Sequence, residues 1–339
     1  MSTIPQKVRR WTSYEWRGQS LDRLLDVHTR IESRRVLDWH DWWVFALPVV
    51  AILDLALYLT LQSRPGQYAL ALWTWAPLAI ILAIACLLVG ALLSAWRSGR
   101  TWTWLRGLGF AGVCMLVFSS GVYQVYPSSH DNRPSRVAFR LPLDGPVTVA
   151  WGGRTPRENY HVGAPSERWA YDLLIARDGK SHTGDGTVVT DYWSYGRDVR
   201  APAAGRVIAV HDGDPDAVPH RPDRQRRAGN HIVLEVAPDE YLVVAHLLAG
   251  SIAVKAGQPV ARGEIVGRVG NSGNTSEPHV HVHLQDRPTP DQGEGIPLLF
   301  SNYRLEASGR VVDRGIPHGG QRRGRLLGEV ISSLESPSP

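Results

Sequence analysis

Residues 271–285, NSGNTSEPHVHVHLQ, contain the most informative pattern in the sequence. Histidine alternates with an apolar residue near the end of this stretch, and a period of two is typical of a β-strand with one buried face. Successive side chains of a strand point to opposite faces, so we expect His279, His281 and His283 to share one face. Because neutral imidazole is a good zinc ligand, this face predicts a metal site.

Short apolar runs on both sides of this stretch predict further strands. Between residues 137 and 300 they alternate with glycine and proline, and no helical repeat of comparable strength occurs. The predicted strands are 137–143, 146–152, 169–175, 205–211, 230–236, 240–247, 264–270 and 279–285. The pattern predicts a mainly-β domain, as an antiparallel sandwich or folded sheet. The charged, turn-rich segment 213–229 is expected to be a surface insertion.

Three more residues are candidate partners of the histidine face. They are His161 in ENYHVGAP, Asp172 in WAYDLLI and His246 in EYLVVAH. Alternation puts Asp172 on the strand face opposite Tyr171 and Leu173. A carboxylate within an apolar run needs a partner, and a cation is a natural one. Since carboxylates often complete histidine zinc sites, Asp172 is a candidate ligand.

The run from His246 to Leu284 resembles the end of lysostaphin-type (LytM-like) zinc endopeptidases. It contains a histidine, a V-x-x-G-x-x-V-x-x-G hairpin segment, a G-N-[ST]-G turn and a final H-x-H strand. The resemblance covers roughly residues 137–300 and is most specific over the last forty of them. It implies a lysostaphin-type antiparallel sheet with a duplicated hybrid motif, and one Zn²⁺ in a groove.

The same resemblance implies a role for each candidate residue. The metal ligands would be His161, Asp172 and His281, and the catalytic histidines that do not bind the metal would be His246 and His279. One feature departs from the family pattern, because the usual spacing of the first two ligands is H-x-x-x-D and here they stand eleven residues apart. An insertion in the first hairpin would explain the longer spacing. No other cofactor is implied.

The implied activity is hydrolysis of peptide bonds, with peptidoglycan cross-links or another peptide as the substrate. Three protein ligands leave a position open for water, and zinc lowers the pKa of that water toward about 7 and polarises a peptide carbonyl. His246 or His279 would accept the proton. The alternative is a catalytically silent module of the same fold that binds the cell wall or activates a hydrolase.

Carrier domains share the glycine-spaced hairpin pattern and form another alternative. A lipoyl or biotinyl domain needs a modifiable lysine at a hairpin tip, whereas Lys255 stands before the first glycine of the motif. A phosphohistidine carrier would need a cytoplasmic location. Neither requirement fits the sequence, so a carrier function is disfavoured.

The first third of the chain predicts three membrane spans. Apolar runs occupy 42–61, 69–96 and 104–126, and the second contains no charged residue. About 20 apolar helical residues cross a hydrocarbon core. Ten of the 13 tryptophans precede residue 127, several of them near the ends of these runs, where interfacial aromatic residues are expected. The alternative, a buried helical bundle, is disfavoured by the length of the second run.

Flanking charge predicts the orientation in the membrane. Residues 1–41 carry eight Lys or Arg, and positive flanks tend to remain in the cytoplasm. Three spans then place the C-terminal part outside the cytoplasmic membrane, in a multi-pass protein whose partners include the lipid bilayer. The predicted organisation is a cytoplasmic segment 1–41, three transmembrane helices within 42–126, a linker 127–136, an extracytoplasmic peptidase-like domain 137–316 and a tail 317–339.

Charge and cysteine usage exclude other classes. The net charge of +5 arises from the first 126 residues, with 12 Lys or Arg against 7 Asp or Glu, since the rest carries 25 of each. A nucleic-acid-binding domain concentrates positive charge on its own folded surface, so no nucleic-acid partner is predicted. Cys86 and Cys114 both fall in predicted spans, and two cysteines make neither a disulfide framework nor a cysteine-based zinc site.

Overall fold

A computed structural model describes residues 42–64, 66–98, 125–322 and 324–335, with the isolated residues 107, 111, 112 and 114. The predicted cytoplasmic segment 1–41 and most of the predicted third span, 104–126, lie outside the described residues.

Two long apolar helices precede the β-domain. Helix α1 spans Trp42–Gln62 and helix α2 spans Gln67–Ser98. All of α1 and the part Gln67–Leu93 of α2 are long and apolar enough to cross a membrane, by length and composition alone. Only 22% and 17% of these segments are buried, whereas the core helix of a soluble protein would be mostly buried. The described residues thus contain two candidate spans, where the sequence predicted three.

Fifteen strands follow in the described part of the chain. They are β1 Val147–Trp151, β2 Tyr171–Leu174, β3 Asp198–Arg200, β4 Gly205–His211, β5 Asn230–Ala237, β6 Glu240–Leu247, β7 Pro259–Val260, β8 Ile265–Arg268, β9 Val280–Gln285, β10 Gly295–Ile296, β11 Phe300–Leu305, β12 Val311–Gly315, β13 Gln321–Arg322, β14 Arg325–Leu326 and β15 Val330–Ser333.

Eleven of these strands form one antiparallel sheet. Its order is β12-β11-β15-β1-β2-β9-β6-β5-β4-β7, and β10 also pairs with β9. Strands β3 and β8 form one separate pair, and β13 and β14 form another. The predicted class, a mainly-β antiparallel domain, is confirmed. The order also places β9, which carries the histidines, between β2 and β6.

The faces of the central strands are those that alternation predicts. Tyr171 and Leu173 of β2 pack in the main hydrophobic core together with Val280, Val282 and Leu284 of β9. The polar residues between them are therefore left on the opposite face of the sheet, where the two strands lie side by side.

Two segments differ from their predictions. The run 137–143 forms no regular strand, although Phe139, Leu141 and Leu143 are buried, and it pairs with the main sheet only through a bridge from Phe139 to Phe300. At the other end, the sheet extends beyond the predicted boundary at 316, because β15 pairs with both β1 and β11.

Candidate metal centre and active site

Strand pairing brings Asp172 and His281 together. The two residues are direct partners across β2 and β9, and Oδ1 of Asp172 lies 2.9 Å from Nδ1 of His281. The other carboxylate oxygen, Oδ2, lies 3.1 Å from Nε2 of His161. All three side chains are buried. The structure thus joins the three residues that the family resemblance implied as ligands.

A short turn accounts for the long spacing between His161 and Asp172. His161 lies in a 3₁₀ turn, Tyr160–Gly163, and the side chain of Asn159 accepts a hydrogen bond from the His161 backbone N–H. The Asn159 amide donates to the carbonyl of Ala170, at 3.0 Å. This bond closes the loop and returns the chain to β2, so the residues inserted before Asp172 do not move His161 away from it.

The donor chemistry around Asp172 fits a metal dication. His161 Nδ1 lies 3.0 Å from Oε2 of Glu167, which accepts a hydrogen bond, so a ring that carries a single proton presents an unprotonated Nε2 to Asp172. Burial alone would lower the pKa of His161, but the Asp172 and Glu167 carboxylates outweigh burial and raise the pKa to about 10. The site therefore attracts positive charge, and its imidazole and carboxylate donors are of the types that zinc prefers.

His246 reaches this site through an uncommon backbone conformation. Its neighbour Ala245 pairs with His281 across β6 and β9, so alternation alone would turn His246 to the opposite face. A φ of 63°, uncommon for a non-glycine residue, instead places its ring 5.6 Å from that of His281, centroid to centroid. The carbonyl of Ser272 accepts a hydrogen bond from Nδ1 at 2.9 Å, which leaves Nε2 unprotonated in the neutral ring.

His279 is anchored in the same manner. Its Nδ1 lies 2.7 Å from the carbonyl oxygen of Glu277, and its ring centroid is 4.9 Å from that of His246. Its Nε2 has no hydrogen-bond partner in the described part of the chain and lies 3.4 Å from Oδ1 of Asp172. Both histidines are therefore held at Nδ1 by a backbone carbonyl and keep Nε2 for the site.

The surroundings shift the pKa values of these two histidines in opposite directions. Burial, with the neighbouring rings of His279 and His281, lowers the pKa of His246 well below its ordinary value. Burial also acts to lower the pKa of His279, but the Asp172 carboxylate opposes it and the net shift is upward. Strongly perturbed neighbouring groups of this kind are typical of catalytic sites.

Three groups of residues in the described part of the chain have donor atoms close enough to hold a metal. The first is His161, Asp172 and His281, and the second is His246, His279 and His281. The second group has no carboxylate to balance a dication. The third group is His130, Asp286 and Glu294, whose Glu294 oxygens already accept hydrogen bonds from Tyr126 and Ser129.

Two pockets border the site and share Tyr160 and Asn274 in their walls. One has a volume of about 480 Å³ and is bordered by His161, His246 and His281. The other has a volume of about 780 Å³ and is bordered by Asp172 and His279. The segment 213–229, which the sequence predicted only as a surface insertion, contributes wall residues to both pockets.

Several site residues were not identified from the sequence. Glu167 and Tyr160 contact His161 and Asp172 respectively, with Tyr160 donating to the carboxylate at 3.3 Å. His283, which the sequence placed on the histidine face without a role, is buried against His281. Glu167 lies in a loop without periodicity, so no pattern marked it. Gln285, which hydrogen-bonds to His283, continues the alternation of the β9 histidines, and this alternation could have identified it from the sequence.

Comparison with known proteins relates this site to one peptidase family. Residues 185–292 match the model described as Peptidase family M23. This range includes His246, His279 and His281, while His161 and Asp172 precede it. The chain is also 33% identical over 89 residues to the peptidoglycan DD-endopeptidase ShyA of Vibrio cholerae. That match covers 26% of this chain and only 20% of the relative's length.

Solved structures with a similar domain include two proteins of 20–21% identity. The catalytic domain of the prophage-encoded M23 protein EnpA from Enterococcus faecalis matches 47% of this chain and 94% of its own, with a TM-score of 0.31. A zinc-containing peptidase from Vibrio cholerae matches 47% of this chain and 39% of its own, with a TM-score of 0.30. Overall similarity at this level carries no information about activity.

Proposed function

Since this chain contains a domain of peptidase family M23, we propose that it is a membrane-anchored zinc endopeptidase that hydrolyses peptide cross-links of peptidoglycan outside the cytoplasmic membrane. The observation that carries the proposal is the convergence of His161 and His281 on the Asp172 carboxylate. The relative ShyA is a peptidoglycan endopeptidase, which supports the substrate class.

In this proposal, His161, Asp172 and His281 hold one zinc ion. A bound zinc supplies a Lewis acid, which lowers the pKa of a water molecule and polarises a peptide carbonyl. The three residues contribute two imidazole nitrogens and one carboxylate, a set that leaves an open position in catalytic zinc sites. The negative charge of buried Asp172 is then balanced by the cation.

His246 and His279 perform the proton transfers. Each ring is fixed by a backbone carbonyl at Nδ1, so each can use Nε2 without losing its orientation. One ring accepts a proton from the attacking water at Nε2 and passes it to the leaving amine, while the other ring, when it is protonated at Nε2, donates a hydrogen bond to the substrate carbonyl oxygen that becomes negative. The two pockets beside these rings give a peptide access from both sides.

The membrane helices anchor this domain in the proposal. The exposed apolar surfaces of α1 and α2 suit contact with lipid, and an anchor would hold the domain near cell-wall peptides. The cytoplasmic N-terminus and the extracytoplasmic location of the domain follow from the flanking charge and the third predicted span.

The test measures zinc and peptide release on the full chain in detergent. We expect about one zinc per chain and soluble muropeptides released from isolated peptidoglycan, detected by mass spectrometry. The variant His281→Ala should lose both. His211→Gln is the matched control, because it also removes one imidazole from the sheet. The ring of His211 is stacked on that of His231, and this variant should keep both zinc and peptide release.

Two results would contradict the proposal. Folded wild-type protein that binds no zinc would contradict the proposed metal centre. Wild-type protein with zinc that binds peptidoglycan but releases no muropeptide would support the silent wall-binding module in its place.

A further inference from the structure

Strand β9 carries a row of hydrogen-bonded polar side chains that continues past the candidate metal ligand. Nε2 of His281 lies 2.9 Å from Nδ1 of His283, and Nε2 of His283 lies 2.9 Å from Oε1 of Gln285. All three side chains are buried. The row starts at the candidate site and ends at the loop that follows β9.

The orientation of the Gln285 amide is fixed by that loop. Its Nε2 donates to the carbonyl oxygens of Arg287 and Thr289, at 2.5 and 2.7 Å. A reversed amide would place its oxygen against these two oxygens, and both can only accept hydrogen bonds. Oε1 therefore faces His283 as an acceptor, and Nε2 of His283 carries a proton.

The protonation of His283 determines what His281 presents to the metal site. Nδ1 of His283 faces Nε2 of His281, while Gln285 already holds the His283 ring proton on Nε2, and no carboxylate of the described residues contacts this ring to hold a second one. A neutral ring protonated at Nε2 has a lone pair on Nδ1. Nδ1 then accepts from the Nε2–H of His281, which leaves the lone pair of His281 Nδ1 facing Asp172.

We propose that His283 and Gln285 are positioning residues, which fix the tautomer of His281 so that Nδ1 is its metal-binding atom. The inference rests on the proposed function, because it assigns a task to residues beside the same zinc site. It gives the two histidine ligands opposite orientations. Glu167 accepts from Nδ1 of His161 and leaves Nε2 for the metal, whereas His283 accepts from Nε2 of His281 and leaves Nδ1.

The first test reads the His283 tautomer directly and requires neither zinc nor activity. The full chain is labelled with [¹⁵N]histidine in detergent, and the two ring nitrogens of His283 are identified by comparison with the His283→Asn variant. We expect a neutral ring that carries its proton on Nε2. A ring protonated on Nδ1 would overturn the inference.

The second test compares two substitutions of the residue that contacts His281 directly. His283→Asn keeps an oxygen acceptor close to the position of Nδ1, whereas His283→Leu removes the acceptor and keeps a side chain of similar size. Loss of a partner behind a metal ligand typically weakens metal binding by about 10- to 100-fold. We therefore expect a Kd for zinc, measured by competition with a chelating dye, at least about tenfold higher for the leucine variant than for the asparagine variant.

The outcomes separate this inference from the proposed function. Equal zinc Kd values for the two variants, with equal thermal unfolding temperatures, would overturn the inference and leave the peptidase intact. Failure of the wild-type chain to bind zinc would overturn the proposed function, and the His283 tautomer would then decide the inference by itself.

Discussion

Glu167 orients His161 through one hydrogen bond. Its carboxylate accepts from Nδ1 of His161 and is mostly buried, so it fixes the ring that faces Asp172. We expect Glu167→Ala to raise the Kd for zinc by about 10- to 100-fold. Glu167→Gln keeps an oxygen acceptor in the same place and should raise it less. Chelator competition measures both, and equal losses in the two variants would contradict the orienting role.

His246 and His279 should separate catalysis from metal binding. Replacement of either by alanine removes a ring that transfers protons in the proposed mechanism, so we expect peptide hydrolysis to fall by about 10²- to 10⁴-fold. Zinc content should remain, because His161, Asp172 and His281 are intact. Muropeptide release and zinc content are measured on the same preparation, and loss of zinc in either variant would show that it holds the metal.

The candidate site was largely predictable at the level of residues, but its supports were not. Alternation in β9 identified its histidines, and the family resemblance supplied His161 and His246. The contact between Glu167 and His161 arises from a loop that closes through Asn159, and no local pattern encodes such a closure. The positive φ of His246 is equally invisible, because histidine has no intrinsic preference that requires it.

One ion pair joins the segment before β1 to the loop that follows β9. Nε2 of His130 lies 3.3 Å from Oδ2 of Asp286. This hydrogen bond is the main cause that raises the pKa of His130, with Glu294 adding to the effect while burial and Arg133 oppose it. The Asp286 pKa is lowered, since His130 and other partners outweigh the burial that would raise it.

The pair should therefore stabilise the fold most between pH 3.8 and 6.5. Stability from His130 is fully present below the unfolded pKa of 6.5 and is lost as the pH rises through the raised folded value. Stability from Asp286 is present above the unfolded pKa of 3.8 and is lost as the pH falls through the lowered one.

Thermal unfolding of the full chain, followed by tryptophan fluorescence in detergent, measures this effect. The partly exposed pair should contribute about 0.5–1 kcal/mol. His130→Gln should lower the unfolding temperature at pH 5.5 and change it much less at pH 9. His182→Gln, at a ring that lies 5.1 Å from the ring of Tyr192, centroid to centroid, and hydrogen-bonds to the carbonyl of Thr183, should have a much smaller pH-dependent effect. A destabilisation by His130→Gln that is the same at both pH values would contradict the ion pair.

The elements were predicted better than their order in the sheet. Alternation found the central strands, since each has one face in the core. It could not find β15, whose position between β11 and β1 depends on pairing with residues far away in sequence. The run 137–143 was misassigned for the opposite reason. Its apolar residues Phe139, Leu141 and Leu143 alternate as in a strand, but the backbone N–H of Arg140 bonds to the carbonyl of Pro202 instead of to a strand of the main sheet.

At the scale of the whole molecule, the helix hairpin constrains the topology. Arg64, in the turn between α1 and α2, lies 3.5 Å from Asp131, and the rings of Trp73 and Tyr126 are 5.3 Å apart. The turn and the start of the β-domain are thus on the same side of any membrane that the hairpin spans. Helix α2 is 32 residues long, or about 48 Å, which is enough to cross a hydrocarbon core once.

Together with the apolar run 104–126, the contact between this turn and Asp131 predicts three crossings and an extracytoplasmic β-domain. Alkaline phosphatase, active only outside the cytoplasm, is fused after residue 64, after residue 98 and at the C-terminus. Because the basic segment 1–41 favours a cytoplasmic N-terminus, we expect activity in the first and third fusions and none in the second. Green fluorescent protein at the same positions is the control and should give the opposite pattern. A C-terminal fusion that is fluorescent and lacks phosphatase activity would mean two crossings, and it would place the candidate peptidase on the side of the membrane that contains no peptidoglycan.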